Sequence, residues 1–395
     1  MMDMFVDTWE QRKFSELVTI ERGGSPRPID KFITNDENGL NWVKIGDAPE
    51  QGNYITQTAE KIRAEGLSKT REVHPGDLIL SNSMSFGRPY IMAIDGCIHD
   101  GWLAIRNTQK NFDLKFLCTL LGTDGMLNQY KAMAAGSTVN NLNKELVGGT
   151  TIAFPIMEEQ IKIGEYFSNI DHLITLHQRK LEHVKKMKKS MLQKMFPKKN
   201  QLYPEVRFPG FTDAWEQRKF GEITELKSAS RVHKDEWTSN GVPFYRSSDV
   251  MAAINGTENE KAFISEELYE KLSKVSGKLE EGDILVTGGG SVGNPYIVTN
   301  NKPLYTKDAD LLWIKNKGKF HPYFLYEFFF SPTFRNYLGS ISHVGTIAHY
   351  TITQLSDTPI CLPSFDEQKE VGEYFQSLDN LITLHQRKQN GRNLK

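Results

Sequence analysis

The chain has 395 residues, a formal net charge of −1 and three cysteines, Cys97, Cys118 and Cys361. Its length suffices for two or more domains with their own cores, and its near-zero charge gives no overall nucleic-acid signal. Three cysteines without paired spacing argue against a disulfide framework or a zinc site and fit a reducing cytoplasm. No apolar run reaches the ~18 residues of a membrane span, and residues 1–13 lack the shape of a signal peptide, so we expect no membrane association.

An internal repeat organises the chain. Matching segments 206 residues apart begin at Trp9 and Trp215 (Trp-Glu-Gln-Arg-Lys-Phe), at Gly76 and Gly282 (Gly-Asp), and at Ser85 and Ser291 (Ser-x-Gly-x-Pro-Tyr). Because solenoid repeats have periods of about 20 to 50 residues, this spacing predicts a duplicated domain instead. Between the matches the two copies differ widely, which is typical of a shared scaffold that presents two different surfaces.

Each copy is predicted to be a mixed, strand-rich domain. Apolar runs after Gly-Asp predict buried strands, and Pro-Tyr segments after a polar loop predict their hairpin partners. The expected strands are 42–45, 77–80, 89–94, 244–246, 283–287 and 295–299, and the expected short helices are 112–121 and 321–330. The predicted fold class is α+β, with two mixed, strand-rich globular domains separated by a pair of long helices.

Residues 158–196 predict one of these long helices, since apolar residues follow alternating steps of four and three until Pro197. The same sequence pattern recurs at 367–388, where 15 of 22 positions are identical to those of residues 159–180. Such spacing is typical of helices that pack along a narrow seam, so we predict that the two copies form a coiled coil and that two histidines set its register. The predicted seam consists of Ile163, Phe167, Ile170, Ile174, His177, Leu181, Val371, Phe375, Leu378, Ile382 and His385. The predicted division is 1–157 and 221–365 as domains, 158–198 and 366–395 as helices, and 199–220 as a linker.

The sequence offers little for catalysis. Asn294-Pro-Tyr296 resembles the Asn-Pro-Pro-Tyr motif of adenine methyltransferases, but one proline is missing and no glycine-rich cofactor loop precedes it. His172, His177 and His183 are spaced five and six residues apart on the predicted helix, so they face different directions and do not form a metal site. No nucleophile–base or carboxylate pair recurs in both copies. We therefore expect a non-catalytic chain without a metal site.

The polar loops of both copies predict recognition of nucleic acid, because Ser, Thr, Asn, Arg and Lys side chains grip phosphates and read base edges. These residue types recur at equivalent positions with changed identities. The candidate DNA-binding residues of the first copy are Arg22, Ser25, Arg27, Lys44, Ser81, Asn82, Ser83, Ser85, Arg88, Ser137, Thr138, Asn140 and Asn141. Those of the second copy are Ser228, Ser230, Arg231, His233, Lys234, Arg246, Ser247, Ser248, Ser291, Asn294, Thr346, His349 and Tyr350.

Three segments resemble the conserved regions of type I restriction–modification specificity subunits: the repeated long helix, Lys-Lys-x-Met-Leu-Gln-Lys-Met-Phe at 188–196, and Arg-Phe-Pro-Gly-Phe-Thr-Asp-Ala-Trp-Glu at 207–216. The resemblance implies two target-recognition domains, each docking on one half of a bipartite site in double-stranded DNA, with the long helices as an antiparallel spacer. It implies two methyltransferase (M) subunits and two restriction (R) subunits as partners in a bacterial cytoplasm. S-adenosylmethionine, ATP and Mg²⁺ are then expected on those partners, with no cofactor in this chain.

Two other interpretations stay open. A self-contained DNA methyltransferase or nuclease fusion predicts chemistry by the chain alone, and a helical scaffold protein predicts no sequence selection among duplexes.

If the chain reads two half-sites, helix length is expected to set their spacing, because readers on one face of DNA engage it about 34–36 Å apart or at multiples of that. The lysine-rich segment 179–199 is expected to lie free for a partner subunit or a phosphate backbone.

Overall fold

The structure is a computed structural model that describes residues 9–50, 52–82, 86–134, 142–307, 310–341 and 349–390. The described residues form two compact units, called unit 1 and unit 2, which divide between His177 and Gln178. This division lies inside a single long helix, so each unit keeps one part of that helix. The five-part division expected from the sequence stays a prediction. Among the described helices, none is both long and apolar enough to cross a membrane.

Unit 1 consists of short strands, short helices and the first part of the long helix. Its strands are β1 (Glu10–Lys13), β2 (Thr19–Arg22), β3 (Ile33–Thr34), β4 (Leu40–Val43), β5 (Tyr54–Ile55), β6 (Glu60–Ile62), β7 (Arg71–Val73), β8 (Leu78–Ser81), β9 (Pro89–Met92), β10 (Gly96–Ile98), β11 (Trp102–Arg106) and β12 (Thr151–Phe154). Its helices are α1 (Leu114–Leu121), α2 (Asp124–Ala134), α3 (Lys144–Gly149) and the start of α4 (Met157–Lys194), with 3₁₀ turns at Phe14–Glu16, Ile29–Lys31, Ile45–Asp47 and Ala64–Lys69.

Two sheets and a helical layer form the core of unit 1. The sheets have the strand orders β2-β11-β8-β9-β5 and β3-β6-β4-β10-β7, and β1 pairs with β12. Leu78 and Leu80 of β8 pack with residues of α1, α2 and α3, whereas Ile79 packs with residues of the second sheet. Because successive strand residues face opposite sides, β8 is buried on both faces, which accounts for its uninterrupted apolar sequence.

Unit 2 begins with the second part of α4 and ends with another long helix. Its strands are β13 (Glu216–Lys219), β14 (Leu226–Ser228), β15 (Trp237–Thr238), β16 (Val242–Tyr245), β17 (Ala262–Ile264), β18 (Ile284–Thr287), β19 (Pro295–Ile297), β20 (Tyr305–Thr306), β21 (Leu311–Ile314) and β22 (Pro359–Leu362). Its further helices are α5 (Phe220–Ile223), α6 (Ser247–Asn255), α7 (Glu266–Ser276), α8 (Pro322–Phe328), α9 (Pro332–Ile341), α10 (Ile352–Asp357) and α11 (Phe365–Asn390), with a 3₁₀ turn at Lys234–Glu236.

The sheets of unit 2 repeat those of unit 1. Their orders are β14-β21-β18-β19 and β15-β17-β16-β20, which correspond to β2-β11-β8-β9 and β3-β6-β4-β10. The strand directions agree as well, including the parallel pairs β4–β10 and β16–β20. Strands β5 and β7 extend the two sheets of unit 1. The expected α+β class, with two strand-rich domains, long helices and an internal repeat, is confirmed.

The repeated Gly-Asp pair forms a turn that the sheets require. Gly76 and Gly282 have φ angles of +94° and +89°, a region that favours glycine. The carboxylate of Asp77 pairs with Arg106 at 2.5 Å. The carboxylate of Asp283 accepts the indole N–H of Trp313 at 2.8 Å. Both aspartates therefore fix the entry to a buried strand.

In each unit, a glutamine at the equivalent position attaches the long helix to a short helix. The side-chain oxygen of Gln160 in α4 accepts the backbone N–H of Asp113 at 3.0 Å, just before α1. The side-chain oxygen of Gln368 in α11 accepts the backbone N–H of His321 at 3.1 Å, just before α8. Each glutamine thus satisfies a donor at a helix start that has no partner within its own helix.

A glycine one turn later brings these helices into close contact. A Cβ atom at Gly164 would lie 2.5 Å from Asp113 Oδ1, and one at Gly372 would lie 2.3 Å from His321 Nδ1. Neither site has room for a side chain unless a neighbour moves. We call the contact of glutamine and glycine with the short helix the helix seat, and it explains the glutamine and the glycine of the repeated Glu-Gln-x-x-x-Gly.

Candidate nucleic-acid interface

In unit 1, the loops that follow β8 and precede β11 lie side by side. Asn82 donates its backbone N–H to Gly101 O at 2.9 Å and its side-chain amide to Asp100 O at 2.9 Å. Leu142 donates its backbone N–H to Asn82 O at 3.0 Å. Leu142 therefore lies beside Asn82, next to the same pair of loops.

A third loop, which follows β2, also contacts Asp100. Its Oδ1 accepts the hydroxyl of Ser25 at 2.9 Å, and Arg22 Nε donates to its backbone oxygen at 3.4 Å. His99 Nδ1 accepts the N–H of Gly101 at 3.0 Å, so His99 Nε2 carries the proton and donates it to Asp100 Oδ1 at 2.9 Å. We call residues 22–25, 82 and 99–101 the loop edge of unit 1.

Unit 2 repeats the backbone hydrogen bonds of this edge with other side chains. Gly288 donates its N–H to Asp310 O at 2.7 Å, and Tyr350 donates its N–H to Gly288 O at 2.8 Å. Ser247 Oγ also donates to Asp310 O, at 3.0 Å. The Asp310 carboxylate pairs with Lys307 at 2.5 Å. We call residues 247, 288, 310 and 349–350 the loop edge of unit 2.

Three of the candidate DNA-binding side chains lie inside the fold. Ser81, Asn82 and Tyr350 are 0%, 3% and 1% exposed. Ser81 Oγ accepts the backbone N–H of Arg88 at 2.9 Å, and the Tyr350 hydroxyl lies 2.5 Å from Thr358 Oγ1. Direct contact of these side chains with DNA does not fit this burial. They satisfy polar groups of the loops themselves, which accounts for polar residues next to buried strands.

Three candidate cations are half-buried and already engaged within their units. Lys44 pairs with Glu60 at 2.5 Å, and Arg246 pairs with Asp249 at 2.9 Å. The Arg88 guanidinium donates to the backbone oxygen of Glu50 at 2.9 Å. A phosphate would have to compete with these partners, so we expect the three cations to position their loops.

Other polar candidates of unit 2 also bond within the unit. Ser230 Oγ lies 2.8 Å from Ser276 Oγ, and Ser248 Oγ accepts the amide of Asn259 at 3.1 Å. The side-chain amide of Asn294 donates to the backbone oxygen of Ser291 at 2.7 Å, and its Oδ1 accepts from Arg335 at 2.9 Å. These bonds stiffen the loops but leave the exposed surface of Ser248 and Ser291 in place.

The remaining candidates divide into exposed residues and residues outside the described ranges. The exposed candidates are Arg22, Arg27, Ser228, Arg231, His233, Lys234, Ser248, Ser291 and His349. Ser83, Ser85, Ser137, Thr138, Asn140, Asn141 and Thr346 lie outside the described residues. Contact of any of these residues with DNA stays a prediction.

Sequence reasoning missed the residues that organise the loop edges, namely His99, Asp100 and Asp310. The sequence pattern points to cations and neutral polar residues as contacts for DNA, and it gives no indication that acidic side chains hold the loops together. The available signal is position: Asp100 stands two residues before a buried strand and Asp310 directly before one, where a polar residue satisfies the backbone of neighbouring loops.

The predicted helix seam is partly a set of contacts within unit 2. Val371, Phe375 and Leu378 of α11 are buried there with Val184 of α4 and with Met195 and Phe196, which follow α4. Lys188 lies 2.7 Å from Asp379, and the Phe196 ring stacks on Phe375 at 6.2 Å, so α4 and α11 run antiparallel here.

The other seam residues have different surroundings. Ile163 packs against the core of unit 1, Phe167 is 43% exposed, and Leu181 is buried. Ile170, Ile174, His177, Ile382 and His385 are half-buried. Pairing of His177 with His385 stays a prediction.

The lysine-rich segment 179–199 is not wholly free, in contrast to the expectation. Lys188 bridges Glu327 at 2.8 Å and Asp379 at 2.7 Å, and the Glu327 side chain is 0% exposed. Burial raises the pKa of Glu327, and the nearby Lys188 opposes that rise. The basic run had suggested a solvated face, but a lysine that neutralises a buried carboxylate looks the same in sequence.

The cysteines show no sign of metal chemistry in the described part of the chain. Burial raises the pKa of the Cys97 thiol to about 11 and that of the Cys118 thiol to about 12, which disfavours the thiolate that binds metals. Across the described ranges, no three His, Cys, Asp or Glu side chains are grouped as a metal site.

Comparison with known proteins agrees with this duplicated architecture. The chain is 26% identical to the type I restriction enzyme MjaVIII specificity subunit of Methanocaldococcus jannaschii over 64% of this chain and 61% of that protein's length. It is 24% identical to the MjaIX specificity subunit of the same organism over 90% of this chain and 83% of that one. The crystal structure of the type I restriction–modification S subunit from M. genitalium matches with a TM-score of 0.62 at 14% identity, covering 100% of this chain and 95% of that one, which shows a shared fold.

Both repeats match one family. Residues 6–186 and 212–391 each match the type I restriction modification DNA specificity domain, and together these ranges include most of the chain. The chain therefore belongs to the type I restriction–modification DNA specificity family.

Proposed function

We propose that this chain is the non-catalytic subunit that reads a bipartite sequence in double-stranded DNA, with unit 1 reading one half and unit 2 the other. It directs two M subunits and two R subunits to that site in a bacterial cytoplasm, as a defence against phage. Adenine methylation and cleavage belong to those partners, which bind S-adenosylmethionine, ATP and Mg²⁺.

The single observation that carries this proposal is the duplicated loop edge. Asn82 and Gly288 donate the same backbone hydrogen bond, to Gly101 and Asp310, at 2.9 and 2.7 Å. The geometry of the backbone is thus kept while the side chains differ. Two readers that use one scaffold for two different half-sites require this combination, whereas a symmetric scaffold protein has no need to vary one edge against the other.

Exposed cations beside both edges support a DNA ligand. Arg22 lies in the first edge and Arg27 follows it in the chain, and Arg231 and Lys234 follow the equivalent strand of unit 2. Such side chains supply phosphate contacts that fix a protein on a duplex, while base edges are read by neighbouring polar groups.

The decisive experiment maps N6-methyladenine in a host that expresses this chain with its M subunit. We expect one bipartite motif in the wild type. In the double variant Arg22→Ala/Arg27→Ala we expect weakened methylation with the same second half-site retained. The exposed Arg12, on β1 and paired with Glu16 at 2.7 Å, provides a control for loss of an arginine elsewhere on the surface of unit 1. Arg12→Ala should leave the motif and its methylation level unchanged.

Two results would replace this proposal by one of its alternatives. Methyl transfer from labelled S-adenosylmethionine by the purified chain alone would indicate a catalytic fusion. Methylation without any sequence motif, with M subunit present, would indicate a scaffold.

The spacing of the half-sites gives a separate test of the long helices. Insertion of four residues into both α4 and α11 adds about one helical turn to each, and we expect a longer spacer between unchanged half-sites. A fixed spacer with both half-sites retained would show that helix length does not set it.

A further inference from the structure

Unit 1 and unit 2 carry the same aromatic face, but its exposure differs. Trp9 and Phe167 of unit 1 are 42% and 43% exposed. Their equivalents in unit 2, Trp215 and Phe375, are 1% and 0% exposed. The arrangement is the same in both, since the rings of Trp9 and Phe116 lie 6.2 Å apart at nearly right angles, and their equivalents Trp215 and Phe324 lie 5.6 Å apart.

In unit 2, one segment of the chain covers this face. The ring of Phe196 lies 6.2 Å from Trp215, 5.4 Å from Phe324 and 6.2 Å from Phe375. Met195 is buried in the same core. The covering segment is therefore the end of α4 together with the Met-Phe pair that follows it, and Phe196 is inserted among three aromatic rings.

Two ion pairs hold the same segment in place. Lys188 pairs with Asp379 at 2.7 Å, and Arg207 donates twice to the carboxylate of Glu367, at 2.6 and 2.7 Å. Glu367 is 1% exposed, so this bidentate pair is desolvated. Covering the face thus combines aromatic burial with neutralisation of two carboxylates.

Unit 1 has the same two carboxylates, Glu159 and Asp171, at the equivalent positions of α4. Within the described residues, neither forms an ion pair with Lys, Arg or His. Asp171 accepts the amide of Asn53 at 3.2 Å, and partial burial raises its pKa. A cation placed beside Asp171 would reverse that rise, as a charge partner favours the ionised form.

We infer that the face formed by Trp9, Phe116, Glu159, Phe167 and Asp171 is a docking surface for the end of a helix and the segment after it, supplied by another polypeptide, with the chemistry of residues 188–207. That chemistry is a lysine for Asp171, a Met-Phe pair for the aromatic rings and an arginine for Glu159. We assign the occupant to a different chain because unit 2 buries Met195 and Phe196, the pair that covers its own face. A second copy of this chain would have to release its own segment to fill the face.

The test uses a fluorescent peptide with the sequence of residues 178–210, added to the full chain and followed by fluorescence anisotropy. We expect saturable binding of one peptide per chain. Phe167→Glu in the chain should weaken it by at least about tenfold, as expected for a buried aromatic anchor. Phe196→Ala in the peptide should have a similar effect.

The matched control is Leu173→Glu on the same helix. Leu173 is 45% exposed, and its equivalent Leu381 in unit 2 is 42% exposed, so this position lies outside the covered face in both units. Leu173→Glu should bind the peptide as the wild type does. Phe167 is exposed, so an unchanged unfolding midpoint is expected for Phe167→Glu and separates lost docking from lost folding.

Three results would overturn this inference: binding no tighter than that of a scrambled peptide, equal weakening by Phe167→Glu and Leu173→Glu, or a concentration-dependent dimer that Phe167→Glu abolishes. The dimer would assign the face to a second copy of the chain. The inference does not rest on DNA recognition, since the peptide assay contains no DNA.

Discussion

The two units are alike at the helix seat and different at the loop edge. At the seat, Gln160 and Gln368 make the same hydrogen bond, and no side chain replaces the glycine that follows. At the edge, only backbone groups repeat, and Asn82 in one unit stands where Gly288 stands in the other. Positions whose side chains complete the packing are retained after duplication, whereas positions held by the backbone are free to diverge and to acquire different ligands.

The aromatic face offers the sharpest way to test this comparison. Phe375 and Phe167 occupy equivalent helix positions, but only Phe375 is fully buried. Phe375→Ala should lower the free energy of unfolding of unit 2 by about 3–5 kcal/mol through loss of a buried ring. Phe167→Ala should lower that of unit 1 by less than about 1 kcal/mol, as at most surface sites. Urea unfolding followed by tryptophan fluorescence measures both, and equal losses would contradict the difference in cover.

The buried carboxylate of unit 2 predicts the next largest effect. Lys188→Met leaves Glu327 inside the protein without its lysine, and breaking such a pair costs about 3 kcal/mol. The same urea titration gives this loss. Glu327→Gln in the Lys188→Met background should recover much of it, because the buried charge is gone. A double variant no more stable than the single one would show that the ion pair is not the cause.

The pH dependence of Lys188→Met tests the same site. Burial raises the pKa of Glu327 in the folded state above the value of about 4.3 for an unfolded chain. The folded state then binds the proton more tightly, so this contribution to stability is present at low pH and is lost as pH rises through the raised pKa. The urea midpoint of the variant should fall as the pH is raised from about 5 to about 8. With Glu327→Gln added, this fall should disappear.

The helix seats predict a smaller effect that is equal in the two units. A Cβ at Gly164 would lie 2.7 Å from the backbone nitrogen of Phe116, and one at Gly372 would lie 3.0 Å from that of Phe324. Overpacking of this kind costs about 1–3 kcal/mol, so Gly164→Ala and Gly372→Ala should each destabilise their unit. If the helices did not touch, alanine would instead stabilise each helix by about 1 kcal/mol. The sign of the change in unfolding free energy decides between these outcomes.

The surface ion pairs predict the smallest effect. Arg12 pairs with Glu16 at 2.7 Å, and Arg218 pairs with Glu222 at 3.1 Å, in the same place in each unit. Both pairs are solvated, and exposed pairs contribute little to stability. Arg12→Ala and Arg218→Ala should therefore leave the urea midpoints unchanged. A clear loss in only one unit would show that this repeated feature has acquired a role there.

Much of the fold was predictable because its signals are local. The runs at β8 and β18 were predicted as buried strands and are, and the hairpins to β9 and β19 are confirmed. The surroundings of the long helices were less predictable. A 3.5-residue apolar spacing identifies the face that a helix buries but not the surface that covers it. Phe375 was predicted to contact the other long helix, and its ring contacts Phe196 beyond the end of α4.

The candidate site was predictable in its location and less so in its residues. The loops after β8 and after β2 were identified, and they meet at Asp100. Whether a polar side chain faces solvent or its own backbone depends on the partners that the fold brings to it. Ser81 and Ser25 have the same residue type, yet one is fully buried and the other lies at the edge.

The position of the unit boundary inside α4 has a consequence for synthesis of the chain. Residues 178–196 are made before the rest of unit 2, and Lys188 and its partner Asp379 are 191 residues apart. At about 5–20 residues per second, a nascent helix with its apolar face uncovered waits on the order of 10–40 s for α11. Unit 1 can be complete during this interval. The helix that links the units thus needs protection from aggregation while the protein is being made.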